Sequence, residues 1–348
     1  MIEAVEVERF RGFRRLKVEG LGRVNLIIGR NNSGKTALME AVAVAAGIND
    51  TAYILASLQG LRLPNESMQN LNRFWMPFFL NGKADNGLTI RARVLNGENC
   101  SVTVCKGDAP HELAVKSRPR ALLSGIWAIE MRITVGEHER NVRISANSEK
   151  INLPEQFDPS RNYWYWIEPR KNLGPGEVQC FSDLKQAGRE SLLLDVLRNV
   201  DPRLSGVELL APSGAQAEIF VRLAPDAPLL NIAMTGDGFQ RCFEIGVSAV
   251  GADVQLIFID EFENGLHHSV FEPVWRWLAS TSMTRNLQVF VTTHSEECVQ
   301  AACRAFTAAG DDGLRVIRLD RREEETVATV YDRSLVEAAT RMGIEIRG

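Results

Sequence analysis

The sequence lacks the features that would place it in a membrane or outside the cell. No stretch of its 348 residues approaches the ~18 consecutive apolar residues that span a bilayer. The opening segment Met1–Glu6 alternates and is acidic, unlike a secretory signal peptide. We therefore expect a cytoplasmic protein with no membrane partner.

Cysteine is scarce, with six residues and no CxxC pair. No histidine lies at metal-ligand spacing from any of them. Cys298 and Cys303 fall in a predicted helix, where a free thiol usually behaves as a small apolar side chain. We interpret the cysteines as reduced and structural, in preference to a metal site.

The sequence also lacks a large excess of either sign of charge, because 40 basic and 44 acidic residues give a net charge of −4. The sequence as a whole therefore has no strong attraction to nucleic acid. Local basic clusters occur in the first predicted hairpin and around Pro119: Arg9, Arg11, Arg14, Arg15, Lys17, Arg118 and Arg120. A solvated surface is the ordinary interpretation of such clusters, and DNA binding is the alternative.

What is present is an alternation of short apolar runs and helical patterns. Residues 1–30 indicate two strands, the second of which ends at Gly29, and residues 35–46 indicate an apolar helix. The later elements follow the same order: strand 254–259, helix 269–279, strand 287–291 and helix 295–309. The pattern predicts an α/β fold with a mostly parallel central sheet.

The middle of the chain differs. Residues 85–150 contain alternating strands separated by Gly, Asn and Asp, which predicts an antiparallel β subdomain, and 182–200 are helical. The segment 151–180 gives no clear pattern. We expect a single domain over 1–348, divided into 1–48, 49–200 (antiparallel β and an inserted helical region), 201–310, and 311–348 (a hairpin and helix).

The strongest motif fits the phosphate-binding pattern GxxxxGK[ST] in full and lies between a strand and a helix. Its residues are Gly29, Arg30, Asn31, Asn32, Ser33, Gly34, Lys35 and Thr36. The glycines let backbone N–H groups turn toward phosphate oxygens, and the helix N-terminus adds positive charge. Lys35 supplies charge to the β- and γ-phosphates, and Thr36 can ligate Mg²⁺. ATP and Mg²⁺ are therefore the predicted cofactors.

Two further strand ends carry polar residues suited to that chemistry. Asp260 and Glu261 follow a buried strand, and we expect Asp260 to hold Mg²⁺ and Glu261 to act as general base for the attacking water. His294 follows the next strand, and we interpret it as a sensor of the γ-phosphate and water. Ser295 is expected to cap the helix after it.

These motifs resemble the ABC ATPase superfamily, in its branch of SMC, recombination-mediator and OLD proteins. The matching segments are the opening strand, phosphate loop, second acidic motif, D-loop and switch histidine: Val7–Phe13, Gly29–Thr36, Leu256–Glu261, Glu263–His267 and Thr293–Ser295. Within the branch, Met234–Arg241 resembles the signature segment of small stand-alone AAA-type ATPases related to OLD nucleases. Gly236, Asp237 and Gly238 would contact nucleotide there, although Thr-Gly-Asp-Gly lacks the usual serine.

The resemblance implies a homodimer that sandwiches two ATP molecules head to tail and separates after hydrolysis. It also implies that nucleotide controls a separate effector or DNA-processing partner, with a role in bacterial anti-phage defence as the expectation. The sequence shows no long heptad run, and the 54 residues after His294 are expected to form a hairpin and helix, without a Toprim nuclease domain.

Several alternatives stay open at this point. One is an ATP-locked sensor or scaffold with little turnover, and another is a recombination or repair ATPase that binds DNA. The Mg²⁺-contacting glutamine loop is not assigned, since Gln186 and the turn at 166–170 both qualify. Arg11 is expected either to approach the nucleotide, as in relatives, or to be solvated at the surface.

Overall fold

The structure is a computed structural model that describes residues 1–63, 71–107, 128–145, 164–169, 173–214, 216–251, 254–323 and 325–336. The chain divides into two compact units. The first consists of Met1–Leu21, Asn31–Pro159 and Leu319–Thr329, and the second of Gly22–Arg30, Ser160–Arg318 and Val330–Gly348.

The described residues contain the following strands and helices. The strands are β1 Ile2–Phe10, β2 Phe13–Glu19, β3 Val24–Gly29, β4 Leu88–Val94, β5 Asn99–Gly107, β6 Ala128–Val135, β7 His138–Ser145, β8 Trp164–Ile167, β9 Gly206–Leu210, β10 Glu218–Arg222, β11 Leu230–Asn231, β12 Leu256–Ile259, β13 Gln288–Thr292, β14 Leu314–Arg322 and β15 Glu325–Asp332. The helices are α1 Lys35–Ala46, α2 Thr51–Arg62, α3 Leu71–Trp75, α4 Pro175–Gln186, α5 Glu190–Leu197, α6 Asp237–Val250, α7 Phe271–Thr284 and α8 Glu296–Ala308.

The first unit is built on a six-stranded sheet in the order β2-β1-β4-β5-β6-β7, in which all neighbours are antiparallel. Its strands alternate buried apolar and exposed polar residues, as a sheet with one wet face requires. Helix α1 packs against β1 and β4 and is buried along most of its length. The predicted antiparallel subdomain is thus present, and it includes the N-terminal hairpin.

The start of the chain corrects one prediction. Residues 1–30 form three strands, not two, and the expected opening strand through Val7–Phe13 is interrupted. Phe10 pairs with Phe13, so Arg11 and Gly12 form the turn between β1 and β2. The left-handed φ of Arg11, +54°, makes that turn tight.

The second unit is built on a sheet in the order β15-β14-β3-β13-β12-β8. The four strands β8, β12, β13 and β3 run parallel to one another. Ile167 pairs with Ile259, Ile259 with Val291, and Leu26 with Val291. The carboxyl ends of these strands therefore lie at one edge of the sheet, where open α/β sheets bind ligands.

The two faces of the parallel strands are packed differently. One face carries branched side chains such as Leu26, Ile257 and Val289, which share a core with residues of α4 to α8. The other face carries an aromatic stack, in which Phe258 lies between Trp166 and Phe290 at ring-centroid distances of 5.1 and 5.6 Å. Burial on both faces explains why these strands are continuous apolar runs.

The α/β class and its elements agree well with the sequence. The strands and helices predicted after residue 254 and the helix 35–46, closed at Gly47, are present within a few residues. Strand β8 lies in the segment 151–180 that gave no pattern. The predicted C-terminal hairpin corresponds to β14 and β15, which extend the central sheet. Arg118, Arg120 and the end of the chain after residue 336 lie outside the described residues.

A three-stranded sheet, β11-β10-β9, completes the second unit. Across the described ranges, no helix combines the length and apolar character needed to cross a membrane.

Candidate nucleotide site

The phosphate loop joins β3 to α1 through Arg30–Gly34. Gly34 has φ +99°, and a Cβ at this position would lie 2.4 Å from the ring of Phe13, so only glycine fits. Within the described part of the chain, no side chain forms a capping hydrogen bond at the start of α1. This arrangement suits an anion.

Ser33 gives direct support for a ligand in the loop. Its side chain is 3% exposed, and no described residue forms a hydrogen bond with its hydroxyl. A buried hydroxyl without a partner costs free energy, so such a group usually binds a ligand or water. Lys35 follows two residues later and is also largely buried. The loop therefore fits a phosphate group.

Asp260 lies directly after β12, at the edge where the parallel strands end. Its backbone N–H donates to the carbonyl of Ile167 at 2.9 Å, and its Oδ1 accepts from Thr292 Oγ1 at 2.5 Å. Thr292 pairs with Ile27 of β3. Gly29, where the phosphate loop starts, follows two residues after Ile27 on the same strand. Asp260 and the base of the loop thus share one sheet edge.

Glu261 has a backbone conformation that is unusual for a residue other than glycine. Its φ is +49°, in the left-handed region that costs a non-glycine residue about 1 kcal/mol. Its N–H donates to Thr292 Oγ1 at 2.8 Å, and its Oε2 accepts from Asn264 Nδ2 at 2.6 Å. Strain that is held by several bonds is characteristic of functional positions.

Glu263 connects this turn to His294. One carboxylate oxygen accepts from Thr293 Oγ1 at 2.7 Å, and the other accepts from the backbone N–H of His294 at 2.6 Å. Ser295 caps α8 as predicted, with its hydroxyl accepting from the N–H of Cys298 at 3.1 Å. The half-buried His294 is therefore fixed at the junction of β13 and α8.

The signature segment lies against the same turn. Gly236 is the N-cap of α6, and Gly236 and Asp237 are exposed. A Cβ at Gly238 would lie 2.8 Å from the carbonyl oxygen of Gly265, whose own φ is +75°. Two glycines thus allow the start of α6 to contact the backbone of the D-loop.

Comparisons with known proteins agree with this geometry. A protein-family model described as "AAA domain, putative AbiEii toxin, Type IV TA system" matches residues 135–299. A protein of Helicobacter pylori named ATP/GTP phosphatase is 22% identical over 331 residues, which cover 86% of this chain and 87% of that protein.

Two solved structures of SMC heads share the fold. An SMC head bound to the C-winged helix domain of ScpA matches with a TM-score of 0.52 and 10% identity, over 98% of this chain and 99% of that one. An SMC head from Pyrococcus furiosus with an extended coiled coil, bound to the C-terminal domain of ScpA, matches with a TM-score of 0.50 and 10% identity, over 100% and 99%. The chain therefore has a fold similar to that of SMC heads, and its residues 135–299 resemble the AAA domain of that family model.

The protein has a buried arginine at this edge that sequence reasoning missed. Arg241 of α6 is 6% exposed, and its guanidinium donates to the carbonyls of Glu168 at 2.6 Å and Asp260 at 2.7 Å. Burial lowers the pKa of Arg241, whereas the nearby Glu244 carboxylate opposes that shift. The only signal in the sequence was the spacing of Arg241 and Glu244, which suits an ion pair on one helix face.

Arg11 is not solvated at the surface, so that alternative is wrong. Its guanidinium forms two bonds to Glu40 of α1, at 2.9 and 3.1 Å, and one to Gln59 of α2 at 3.1 Å. It also lies 4.2 Å from the ring centroid of Phe78. Burial lowers the pKa of Arg11, and the Glu40 carboxylate opposes the shift. The residue therefore ties the first hairpin to the helix that follows the phosphate loop.

The two candidates for the glutamine loop differ in position. Gln186 is exposed at the end of α4, where its side chain bonds to Ser182. The segment 166–168 instead contains the end of β8, and Glu168 lies beside Asp260 at the sheet edge. Arg170 is outside the described residues. The segment after β8 is thus the better placed of the two.

The basic residues of the first hairpin are accompanied by acidic ones. Arg15 pairs with Glu6 at 2.6 Å and Lys17 with Glu19 at 3.0 Å. Arg9 lies 4.0 Å from Glu8 and also donates to the carbonyl of Gly87. This face of the sheet therefore carries both signs of charge in place of a basic stripe.

Proposed function

We propose that this chain binds Mg·ATP on the loop Gly29–Thr36 and hydrolyses it between two copies of itself. The register of the parallel strands carries the proposal, because it puts Asp260, Thr292 and the base of the loop at one sheet edge. In open α/β sheets this edge is where phosphates and their metal ions bind.

The loop residues would share the work of binding. The N–H groups of Arg30–Gly34 and the buried Ser33 hydroxyl face the phosphates, and Lys35 balances their charge. Thr36 and Asp260 would hold Mg²⁺ through a hydroxyl oxygen and a carboxylate oxygen, which are ligands that this ion prefers in proteins. The bound ion would neutralise charge on the β- and γ-phosphates.

Glu261 and His294 would act on the attacking water. The Glu261 carboxylate would accept a proton from water as the water oxygen bonds to the γ-phosphorus, while the bond from that phosphorus to the β–γ bridging oxygen breaks and ADP leaves. His294 would orient the water or contact a phosphate oxygen. Thr292 Oγ1 bonds to the Asp260 carboxylate and to the backbone N–H of Glu261. This shared partner supports the proposal that the two neighbours act together, Asp260 in metal binding and Glu261 in proton transfer.

Dimerisation would complete each site with Gly236, Asp237 and Gly238 of the second copy. Two features of the second unit support this. The signature segment is exposed, with Met234 75% exposed. It also lines a concavity of about 510 Å³, together with D-loop residues Gly265 and His267. A second copy would place its nucleotide against this surface.

The decisive experiment compares wild type with Glu261→Gln. We expect wild type to release phosphate from ATP, and Glu261→Gln to lower kcat by about 100-fold or more while still binding ATP. Glu296→Gln, at an exposed position of α8, is the matched control and should retain activity. Equal turnover by wild type and Glu261→Gln would reject the proposed chemistry.

The dimer is tested by mass photometry. Glu261→Gln with Mg·ATP should shift to twice the monomer mass, whereas Lys35→Ala should remain monomeric, since it lacks the charge that binds the triphosphate. A monomer under all nucleotide conditions would contradict the ATP sandwich.

A scaffold with little turnover is the second candidate, and one observation favours it. Thr235 occupies the place near the usual serine, but its hydroxyl donates to the carbonyl of Ile232 at 2.6 Å. Its proton is therefore used locally and is not offered to a γ-phosphate. Turnover at background in wild type, combined with ATP-dependent dimers, would establish this function in place of hydrolysis.

We further propose that the nucleotide state controls a separate effector. The SMC heads of similar fold are bound to domains of ScpA, and the matching family description names a toxin–antitoxin system. A defence role is consistent with that family description. Salt-sensitive DNA binding that strengthens with ATP, or ATPase activity stimulated by DNA, would instead favour a recombination or repair ATPase.

A further inference from the structure

The D-loop turn of the second unit contains an amide that contacts the proposed general base. Asn264 Nδ2 lies 2.6 Å from Glu261 Oε2 and 3.4 Å from the carbonyl oxygen of Pro169. Both partners can only accept hydrogen bonds, so the NH₂ side of the amide must face them. These two acceptors therefore define the orientation of the Asn264 amide group.

The turn that presents this amide is itself well anchored. Phe262 is fully buried, and its ring stacks on Trp275 at 4.6 Å. The backbone N–H of Asn264 donates to the carbonyl of Glu261 at 3.0 Å, which closes the turn. Asn264 is followed by Gly265, whose φ of +75° brings the chain against the start of α6. The amide is thus held from both sides.

A general base must present a lone pair to the water within hydrogen-bond distance. A glutamate side chain has three rotatable bonds and reaches that geometry only part of the time unless a neighbour restricts it. A donor fixed on Oε2 restricts the carboxylate while leaving Oε1 directed away from the amide. Small displacements of a reacting group are costly, since about 1 Å can reduce a rate by about 100-fold.

We infer that Asn264 is a positioning residue that orients the Glu261 carboxylate for ATP hydrolysis. The inference rests on the proposed function, because it assigns Asn264 a role through Glu261. Asn264 belongs to the same turn as Glu263, which binds Thr293 and the backbone of His294. This one short turn would therefore position both the general base, Glu261, and the switch histidine, His294.

The test is a double-mutant cycle on the full chain, with ATP as substrate. Asn264→Ala should lower kcat by about 10- to 100-fold and leave the Kd for ATP within about twofold. In the Glu261→Gln background the same substitution should change the residual rate by less than about twofold, because there is no carboxylate left to orient.

The controls separate positioning from folding. Asn199→Ala removes an exposed amide that donates to the backbone carbonyl of Asp195 in its own helix, and it should leave kcat unchanged. Asn264→Asp keeps the side-chain size and places a second carboxylate beside Glu261, so it should be at least as slow as Asn264→Ala. If the alanine variant does not fold, judged by its Tm, the aspartate variant provides the same comparison.

The outcomes are distinct. Asn264→Ala with a wild-type kcat, or with the same fold-loss in the Glu261→Gln background, overturns the role of Asn264 while the proposed ATPase stands. A parallel rise in the Kd for ATP also overturns it, because the residue would then act in binding. Absence of turnover in wild type, or equal rates for wild type and Glu261→Gln, overturns the proposed hydrolysis and the role of Asn264 together.

Discussion

A single hydroxyl links the two acidic residues of the second motif. Thr292 Oγ1 donates to Asp260 and accepts from the N–H of Glu261, and the side chain is fully buried. Hydrogen bonds to a charged group are stronger than neutral ones, and a buried N–H that loses its partner is costly. We therefore expect a substitution of Thr292 to affect both motif residues, Asp260 and Glu261.

Thr292→Val should impair both stability and activity. The valine keeps the shape but leaves the N–H of Glu261 without its acceptor, so unfolding free energy should fall by about 1–3 kcal/mol. We expect kcat to fall by about 10-fold or more, since Asp260 and Glu261 lose a common anchor. Urea unfolding and phosphate release measure the two effects.

The matched control is Thr51→Val. Thr51 is equally buried, and its hydroxyl donates to the carbonyl of Ile48 at 2.7 Å in the first unit. It should lose stability without a change in kcat per folded molecule. An equal loss of kcat in both variants would show that the Thr292 effect is one of folding alone.

The cysteines allow a second prediction for individual residues. Burial raises the pKa of Cys242 to about 12 and that of Cys298 to about 12. At pH 8 both are therefore protonated thiols, and only the thiolate reacts with alkylating reagents. Iodoacetamide should modify neither in the folded protein and both in urea, whereas the more exposed Cys105 and Cys180 should react first. Mass spectrometry of the labelled peptides checks this, and rapid labelling of Cys242 in the folded protein would contradict it.

Among the elements, α6 connects the signature segment to the strand ends. Its first turn contacts the D-loop through Gly238 and Gly265, and Arg241 one turn later bonds to the carbonyls of Glu168 and Asp260. A movement of α6 therefore changes the surroundings of β8 and β12 directly. The helix is the physical link between the signature segment and the acidic motif of the same chain.

Gly238→Ala tests this link. The added methyl group would lie 2.8 Å from a backbone oxygen that cannot move aside, so the start of α6 must shift. We expect ATP-dependent dimerisation and kcat to fall by about 10-fold, with ATP binding to the monomer unchanged. Gly206→Ala has open space around it and serves as the control. Normal dimerisation of Gly238→Ala would show that the contact is not required.

The comparison of sequence and structure is clearest for these elements. The glycine pattern of the phosphate loop and the apolar runs of β12 and β13 were readable because local chemistry dictates them. Strand β8 was missed because its four residues, all aromatic or apolar, show no alternation of apolar and polar side chains. Its pairing with β12 defines it as a strand. Arg241 was missed because a charged residue on a helix normally faces solvent, and its burial depends on carbonyls distant in sequence.

For the whole molecule, the proposed dimer predicts complementation. Lys35→Ala lacks the loop charge and Gly238→Ala lacks a competent signature, so each homodimer has two defective sites. A mixed dimer has one site with both defects and one intact site. Mixing equal amounts should therefore restore phosphate release to at most about a quarter of the wild-type rate, well above either variant alone.

The control is a mixture of Lys35→Ala with Glu261→Gln. The loop and Glu261 of one chain serve the same site, so this mixed dimer would have no intact site. Restoration in both mixtures, or in neither while mixed dimers are detected, would contradict composite sites.

The pairing of β3 with β13 has a consequence for synthesis of the chain. Residues 24–29 leave the ribosome early, yet their partner is residues 288–292. The pairing of the central strands next to the phosphate loop therefore waits until residues 288–292 have been translated, which makes the contact order high. Nascent chains that end before residue 288 should neither retain nucleotide nor resist protease.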